Sequence, residues 1–465
     1  MKQLRVAVVG SGPAGLYAIE YLLEKQGIDV EIDLFERLPT PWGLVRAGVA
    51  PDHPDKKRVT DRQFDVLLKD SRVRFFGNVE VGRNIQPAEL AAAYDAVIYA
   101  IGASNDVRMG IPGEELPGCW AAREFVGFYN GHPDYSHLRF DLSCQRAIVI
   151  GNGNVALDVA RILTMPVTEL ERTDIADHAL RALHGSAIRE VVILGRRGHL
   201  QGAFHNPELE ELEHLEGVDV LVDGDDLPGE RNVAIKDADW ETHRKVQTLR
   251  RLAARAQTPG HRRIVFRFLS SPVELLGRGK VEQAVIAHNK LDRDAQGQLR
   301  ARSTEEKSIF DAGLVLRAIG YRGAAIAELP FDEARGVIAN REGRVVEHGV
   351  VVPGIYVTGW IKRGCRGIIG SNRKCARDTV AALFEDLDAG LLVCRSPQQE
   401  KSAFVRLRTP DAITLSGWLA IDRQERNAGR AQNRPRVKLA ENDELLAVAA
   451  TRSGICHESG SGDPR

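Results

Sequence analysis

The sequence predicts an α/β fold in which one unit of parallel sheet and helices occurs twice. Three observations point there. Short apolar runs ending in glycine recur along the chain: "RVAVVGSG", "DAVIYAIGA", "RAIVIGNG", "EVVILGRR", "GLVLRAIGY" and "GIYVTGW". Runs this short and this rich in Val and Ile read as buried parallel strands. Amphipathic stretches separate them, the alternation of an α/β chain. Two of the runs lead through a glycine-rich turn into a helical segment, near residues 10 and 151.

The first turn, "GSGPAG", fits G-x-G-x-x-G. Gly10 permits a tight turn, Gly12 lets the backbone approach a pyrophosphate, and Gly15 lets helix and strand pack closely. The helix after it presents free N–H groups and a positive dipole end to an anion. The next strand, "EIDLFE", ends in Glu36. A carboxylate there accepts hydrogen bonds from ribose hydroxyls and repels a 2′-phosphate, so the site suits FAD or NAD.

The second turn, "GNGNVA", fits G-x-G-x-x-A through Gly151, Gly153 and Ala156. The next glycine-ended strand closes with Arg196 and Arg197 instead of an acid. Paired guanidinium groups at that position match the ribose phosphate of NADP(H). The similar strands "DAVIYAIGA" and "GLVLRAIGY" flank the second turn. The simplest architecture is therefore two dinucleotide-binding (Rossmann-like) domains, the NADP domain inserted into the FAD domain. The expected limits are 1–105 and 320–465 for the FAD-binding domain and 106–319 for the NADP-binding domain. The Gly/Ser-rich end, from about residue 457, reads as a disordered tail.

Composition narrows the function class. The chain has 465 residues, 63 basic against 64 acidic, with 43% hydrophobic and 27% charged residues. That balance gives no support to nucleic-acid binding or an anionic membrane surface. No apolar run approaches the ~20 residues of a membrane helix. The N-terminal run reads as a first strand, with no cleavage site and no room for a transit peptide, so the expected compartment is cytoplasmic. No two of the six cysteines have C-x-x-C spacing. That argues against a redox dithiol, a zinc ribbon or an iron–sulfur cluster in this chain, and no metal site is expected.

The motifs "VVGSGPAGLYA", "PTPWGLVRAGVAPDHP", "IPGEELPG", "FVGFYNGHPD", "GNGNVALDVARIL", "VVILGRRG", "GWIKRG" and "RPRVKL" together resemble the adrenodoxin-reductase-like ferredoxin–NADP(+) reductases. The match extends to about residue 445. The resemblance implies FAD in the first domain, NADP(H) in the second, and electrons passed singly to an iron–sulfur ferredoxin. By matching position it implies FAD contacts at Ala14, Glu36, Leu44, Val81, Trp360, Gly367, Ile368 and Ile369. It implies NADP contacts at Asn152, Gly153, Asn154, Val155, Arg196, Arg197, Glu208 and Gly367. His53 and Glu211 match a family pair near the flavin, with a role in proton handling or positioning. Because ferredoxins are acidic, Arg244, Lys245, Arg250, Arg251 and Arg255, in a basic segment with helical spacing, are docking candidates.

Two departures stand out. The family's "GPTG" after "WIKR" is here "GCRG", placing Cys365 and Arg366 beside the expected flavin–nicotinamide junction, and His199 replaces a proline after the arginine pair. Alternative readings are an NADPH-binding flavoprotein acting as sensor or scaffold, and another NADPH-dependent flavin oxidoreductase. A thioredoxin-reductase-like enzyme would need the missing C-x-x-C. No motif encodes the oligomeric state.

Overall fold

The computed structural model describes residues 2–222, 239–392, 405 and 407–450; the tail expected from about 457 lies outside them. The glycine-ended runs form two parallel sheets. One has seven strands in the order Asn340–Arg341, Arg344–Glu347, Val350–Val357, Ala96–Tyr99, Lys2–Val9, Ile28–Phe35 and Val73–Phe76. Its last five strands are parallel, and a hairpin extends the edge at Val350–Val357. The other has six strands, all parallel: Cys119–Ala121, Leu314–Arg317, Arg146–Ile150, Glu190–Leu194, Arg262–Arg267 and Val218–Val222. Parallel strands need both faces covered, which is why these runs carry no polar alternation: Ala96–Tyr99 and Glu190–Leu194 are buried throughout.

Each sheet has its own apolar core. On the first, helix Pro13–Leu23 packs against the 20-residue helix Ile369–Asp388. On the second, helix Asn154–Thr164 buries Ala156, Leu157, Val159, Ala160, Ile162 and Leu163. A three-stranded antiparallel sheet, Ser270–Leu276, Gln283–Arg293 and Leu299–Asp311, flanks the second sheet. The chain passes between the sheets twice. There Asn105–Asp106 pairs antiparallel with Tyr321–Arg322, so the two crossings run side by side.

The C-terminal segment binds both sheets' surroundings. After helix Leu415–Ala431, basic side chains alternate in "RPRVKL", as an extended backbone allows. Arg434 donates to the carbonyl of Thr173 at 3.0 Å and to Asp177 at 2.6 Å. Arg436 donates to Glu425, which also receives Arg46 and is fully buried. Lys438 Nζ reaches Asn130 Oδ1 at 3.1 Å and Asp174 Oδ2 at 3.2 Å. Burial pushes the Lys438 ammonium well down, and Asp174 opposes it. Such buried pairs specify an arrangement more than they stabilise it, but removing one partner strands the other charge.

Candidate functional site

The first turn is built so that only small residues fit. Gly10 has φ +103° and donates to the carbonyl of Phe35 at 2.8 Å. A Cβ at Gly15 would stand 2.0 Å from the carbonyl oxygen of Gly10, an overlap no side chain tolerates. Glu36, at the end of its strand, is pinned beside the turn. Its Oε2 accepts from the Ser11 N–H at 3.0 Å and the Ser11 hydroxyl at 2.6 Å, and its Oε1 accepts from the Leu38 N–H.

Distant segments close on this turn. Trp42 N donates to Ser11 O at 3.1 Å, and a Cβ on Gly43 would lie 3.0 Å from Gly12 Cα, which sets Leu44 next to the turn with its side chain 45% exposed. From the far end of the chain, a Cβ on Gly359 would come within 2.6 Å of Ala14 Cβ. Trp360 begins the next helical turn, stacks on Tyr321 at 6.3 Å, and has a buried indole N–H with no partner among the described residues. Gly367 and Ile368 are exposed at the start of helix Ile369–Asp388, and Ile369 packs on its flank. Val81 is buried on the other side of the sheet's edge, in the cluster with Phe35 and Tyr99. The chemistry fits a flavin dinucleotide: a turn with no room for a Cβ at Gly10 or Gly15 and open space beside Gly12, a helix N-terminus, a carboxylate at the end of the next strand and an unpartnered buried donor.

Cys365 is half-buried, and burial pushes its thiol up to about 11, opposed by a hydrogen bond from the Tyr321 backbone and by Arg363. It is therefore a neutral thiol. Arg366 is exposed, and its carbonyl accepts from Arg363.

The second turn repeats the first. Gly151 has φ +110° and donates to Leu194 O at 2.9 Å, and Gly153 caps helix Asn154–Thr164. Asn152 O accepts from Ala203 N, Asn154 exchanges hydrogen bonds with His205, and Val155 packs on the core edge. Arg196 is exposed and Arg197 half-buried. Their carbonyls are held by Asn289 and Leu269, while neither guanidinium makes an ion pair with another described residue. In a chain where most buried arginines are paired, two adjacent uncommitted guanidinium groups suit a phosphate. His199 opens a short 3₁₀ turn and packs edge-on to Phe268.

Where the two units meet, the structure brings His53 and Glu211 together: Nε2 lies 2.6 Å from Oε2. Sequence reasoning missed what surrounds them. Arg161, 1% exposed, forks onto Asp52 at 2.9 and 3.0 Å, donates to Glu211 at 3.1 Å and lies 3.0 Å from Asp158. Lys56 reaches Glu208 at 3.0 Å. Burial raises Glu211, but the His53 hydrogen bond, Arg161 and Lys56 outweigh it and hold the carboxyl below its usual range. Asp158 is pushed up by burial despite Arg161. One signal was available: an arginine inside the apolar helix run "VALDVARILT" needs buried partners.

The basic segment forms helix Trp240–Ala253, as its spacing predicts, but many of its cations are engaged. Arg244 forks onto Glu210, Arg251 bonds Glu213, Arg255 donates to Glu213 O and Lys245 to Gly202 O. Arg250 is half-buried. Among the described residues no group of His, Cys, Asp or Glu is arranged to hold a metal, and no helix is long and apolar enough to cross a membrane.

The comparisons agree with this geometry. Residues 4–222 match the family model "Pyridine nucleotide-disulphide oxidoreductase". The chain is 47% identical over 458 residues to the NADPH-ferredoxin reductase FprA of Mycobacterium tuberculosis, covering 96% of this chain and 99% of that one. It is 40% identical over 473 residues to the mitochondrial NADPH:adrenodoxin oxidoreductase of Arabidopsis thaliana, covering 97% and 96%. Its structure matches that of M. tuberculosis FprA in complex with NADPH at a TM-score of 0.91, with 47% identity over 96% of this chain and all of that one. The chain belongs to the adrenodoxin-reductase-like ferredoxin–NADP(+) reductase family.

Proposed function

We propose that this chain is an FAD-dependent NADPH–ferredoxin reductase whose acceptor is an iron–sulfur ferredoxin. The observation that carries the reading is the contrast between the two turns: Glu36 closes one, and the uncommitted Arg196 and Arg197 close the other. FAD, when bound, supplies the conversion between a two-electron hydride donor and a one-electron acceptor. The rest falls to this chain's own residues. Gly10, Gly12 and Gly15 admit a pyrophosphate, Glu36 orients the adenosine ribose, and Ala14, Leu44, Val81, Trp360, Gly367, Ile368 and Ile369 line the remainder of that site. Asn152, Gly153, Asn154, Val155 and Glu208 position NADP(H), whose 2′-phosphate Arg196 and Arg197 select. Trp360 and Tyr321 keep water from the junction. His53 Nε2 and Glu211 Oε2 share a proton beside it.

We place the FAD unit at 1–105 with 320–465 and the NADP unit at 106–319, limits that the described strands of each sheet support. Helix Trp240–Ala253 remains our docking surface, but Glu210 and Glu213 offset part of its charge, so its steering is modest. We assign the protein to the cytoplasm, where the four described cysteines stay free. The test is the purified protein with a panel of ferredoxins. Flavin absorbance should bleach with NADPH, and cytochrome c reduction should need a ferredoxin; colourless protein, or bleaching by NADH alone, sinks the reading.

A further inference from the structure

We propose that Arg161 is a positioning residue for hydride transfer. Its buried guanidinium gathers Asp52, Asp158 and Glu211 around His53, and so sets the spacing of the two nucleotide units at their seam. The inference rests on the proposed function above and adds to it a residue outside both nucleotide turns.

The three carboxylates come from three separate elements. Asp52 lies in the loop that carries His53 and leads into Pro54–Lys57. Asp158 lies one turn before Arg161 on helix Asn154–Thr164, and Glu211 ends helix Asn206–Glu211. One side chain, 1% exposed, touches all three: Asp52 through Nε and Nη2 at 2.9 and 3.0 Å, Asp158 through Nη2 at 3.0 Å, Glu211 through Nη1 at 3.1 Å. The same Glu211 Oε2 then meets His53 Nε2 at 2.6 Å. His53 Nδ1 stands 3.9 Å from Asp158 and 3.4 Å from Lys56. Lys56 also faces Glu208, and the buried Tyr129 and half-buried Tyr321 rings lie within electrostatic reach of Asp158.

Arg161 sits seven residues after Asn154, about 10 Å along the axis from the end of the helix that faces the second turn. A helix moves as a rigid piece. A slack bond at Arg161 therefore lets the second turn drift relative to the segment that, about ten residues before Asp52, closes on the first turn through Trp42 and Gly43. The planar guanidinium grips Asp52 in a fixed fork while Nη1 and Nη2 also reach Glu211 and Asp158; an ammonium supplies the charge but not the fork. A misplacement of about 1 Å between reacting groups costs on the order of 10²-fold in rate.

The experiment compares Arg161→Lys, Arg161→Met, Glu211→Gln and the Arg161→Lys/Glu211→Gln double variant as FAD-loaded proteins. Arg436→Lys, a buried arginine of the C-terminal segment, is the control. Flavin reduction by NADPH is followed by stopped flow across pH, NADP+ affinity by calorimetry, and loop mobility by amide hydrogen exchange. For Arg161→Lys we expect reduction about 10- to 100-fold slower, NADP+ affinity within about threefold and full flavin content. Exchange should quicken in residues 50–56 and 206–211 but not at 10–15. The pH profile should move in Arg161→Lys and not in Arg436→Lys. The double variant should be no slower than the slower single one, because both break the same unit. Wild-type reduction in Arg161→Lys, additive losses in the double variant, or a parallel fall in flavin content, NADP+ affinity and rate would each overturn the proposal. Arg161→Met serves only to extend the series, so its failure to fold would not spare the idea. If NADPH does not reduce the wild-type flavin at all, the functional reading fails instead.

Discussion

The turns at Gly10 and Gly151 share one backbone design and differ in the side chains that complete it. Both first glycines have positive φ, +103° and +110°, and both abut the carbonyl of an alanine in an Ala-Ile-Gly strand end, Ala100 or Ala318. Both donate to the last residue of the neighbouring strand, and both lead into an 11-residue helix. They part at the third small residue, Gly15 against the buried Ala156, and at the strand end, Glu36 against Arg196 and Arg197. In the function we propose, the shared part admits a pyrophosphate and the differing part chooses the nucleotide, because charge at the ribose is felt only after the backbone has placed it.

The comparison can be broken most sharply at its third position. Gly15→Ala should destabilise the turn by roughly 1–3 kcal/mol and yield protein with little flavin. Ala156→Gly, in the equivalent place, should cost only about 1 kcal/mol and keep NADPH binding. Flavin content and melting temperature decide it, and equal effects would show the two turns are not built differently.

Next in size is the choice of nucleotide. Arg196→Ala with Arg197→Ala should cut the NADPH-over-NADH preference in kcat/KM by about 10²-fold, with flavin content unchanged. A preference ratio that stays put would make the pair bystanders. The counterpart in the first turn is smaller, because Glu36→Gln keeps the acceptor oxygen but loses the charge that Ser11 and Leu38 hold. FAD affinity should weaken by about tenfold, measured by flavin release on dilution.

The smallest effect concerns how the second unit meets the first turn. Arg37, next to Glu36, pairs with Asp134 at 2.8 Å, two residues from His132. Burial lowers the His132 imidazole to about 4, against the opposing pull of Asp134. The folded state therefore binds its proton less readily than the unfolded one. Stability from this group is complete above about 6.5, shrinks as pH falls from there towards 4, and is gone below it. His132→Gln should flatten that part of the curve in urea titrations at pH 7 and 4.5. An unaltered acid slope would remove His132 from the seam's pH response.

Local order determined what the sequence revealed alone. A tight turn, a close helix–strand approach and the charge closing a strand each depend on residues a few positions apart, so "GSGPAG" with Glu36 and "GNGNVA" with Arg196 and Arg197 could be read directly. The parallel sheets were legible for the same reason: strands buried on both faces lose their polar alternation. The seam was legible only through the family resemblance, which named His53 and Glu211, 158 residues apart; the Arg161 cluster around them, and pairs such as Arg46 and Glu425, 379 apart, were not. Which charges meet depends on how two finished sheets pack, and nothing in a local pattern records that. The basic helix shows the other side of the same limit. Its spacing was visible, yet only the packing of Glu210 and Glu213 against it decided how much of its charge faces water. Short-range sterics write themselves into the sequence residue by residue; long-range electrostatics are settled only when the chain has closed.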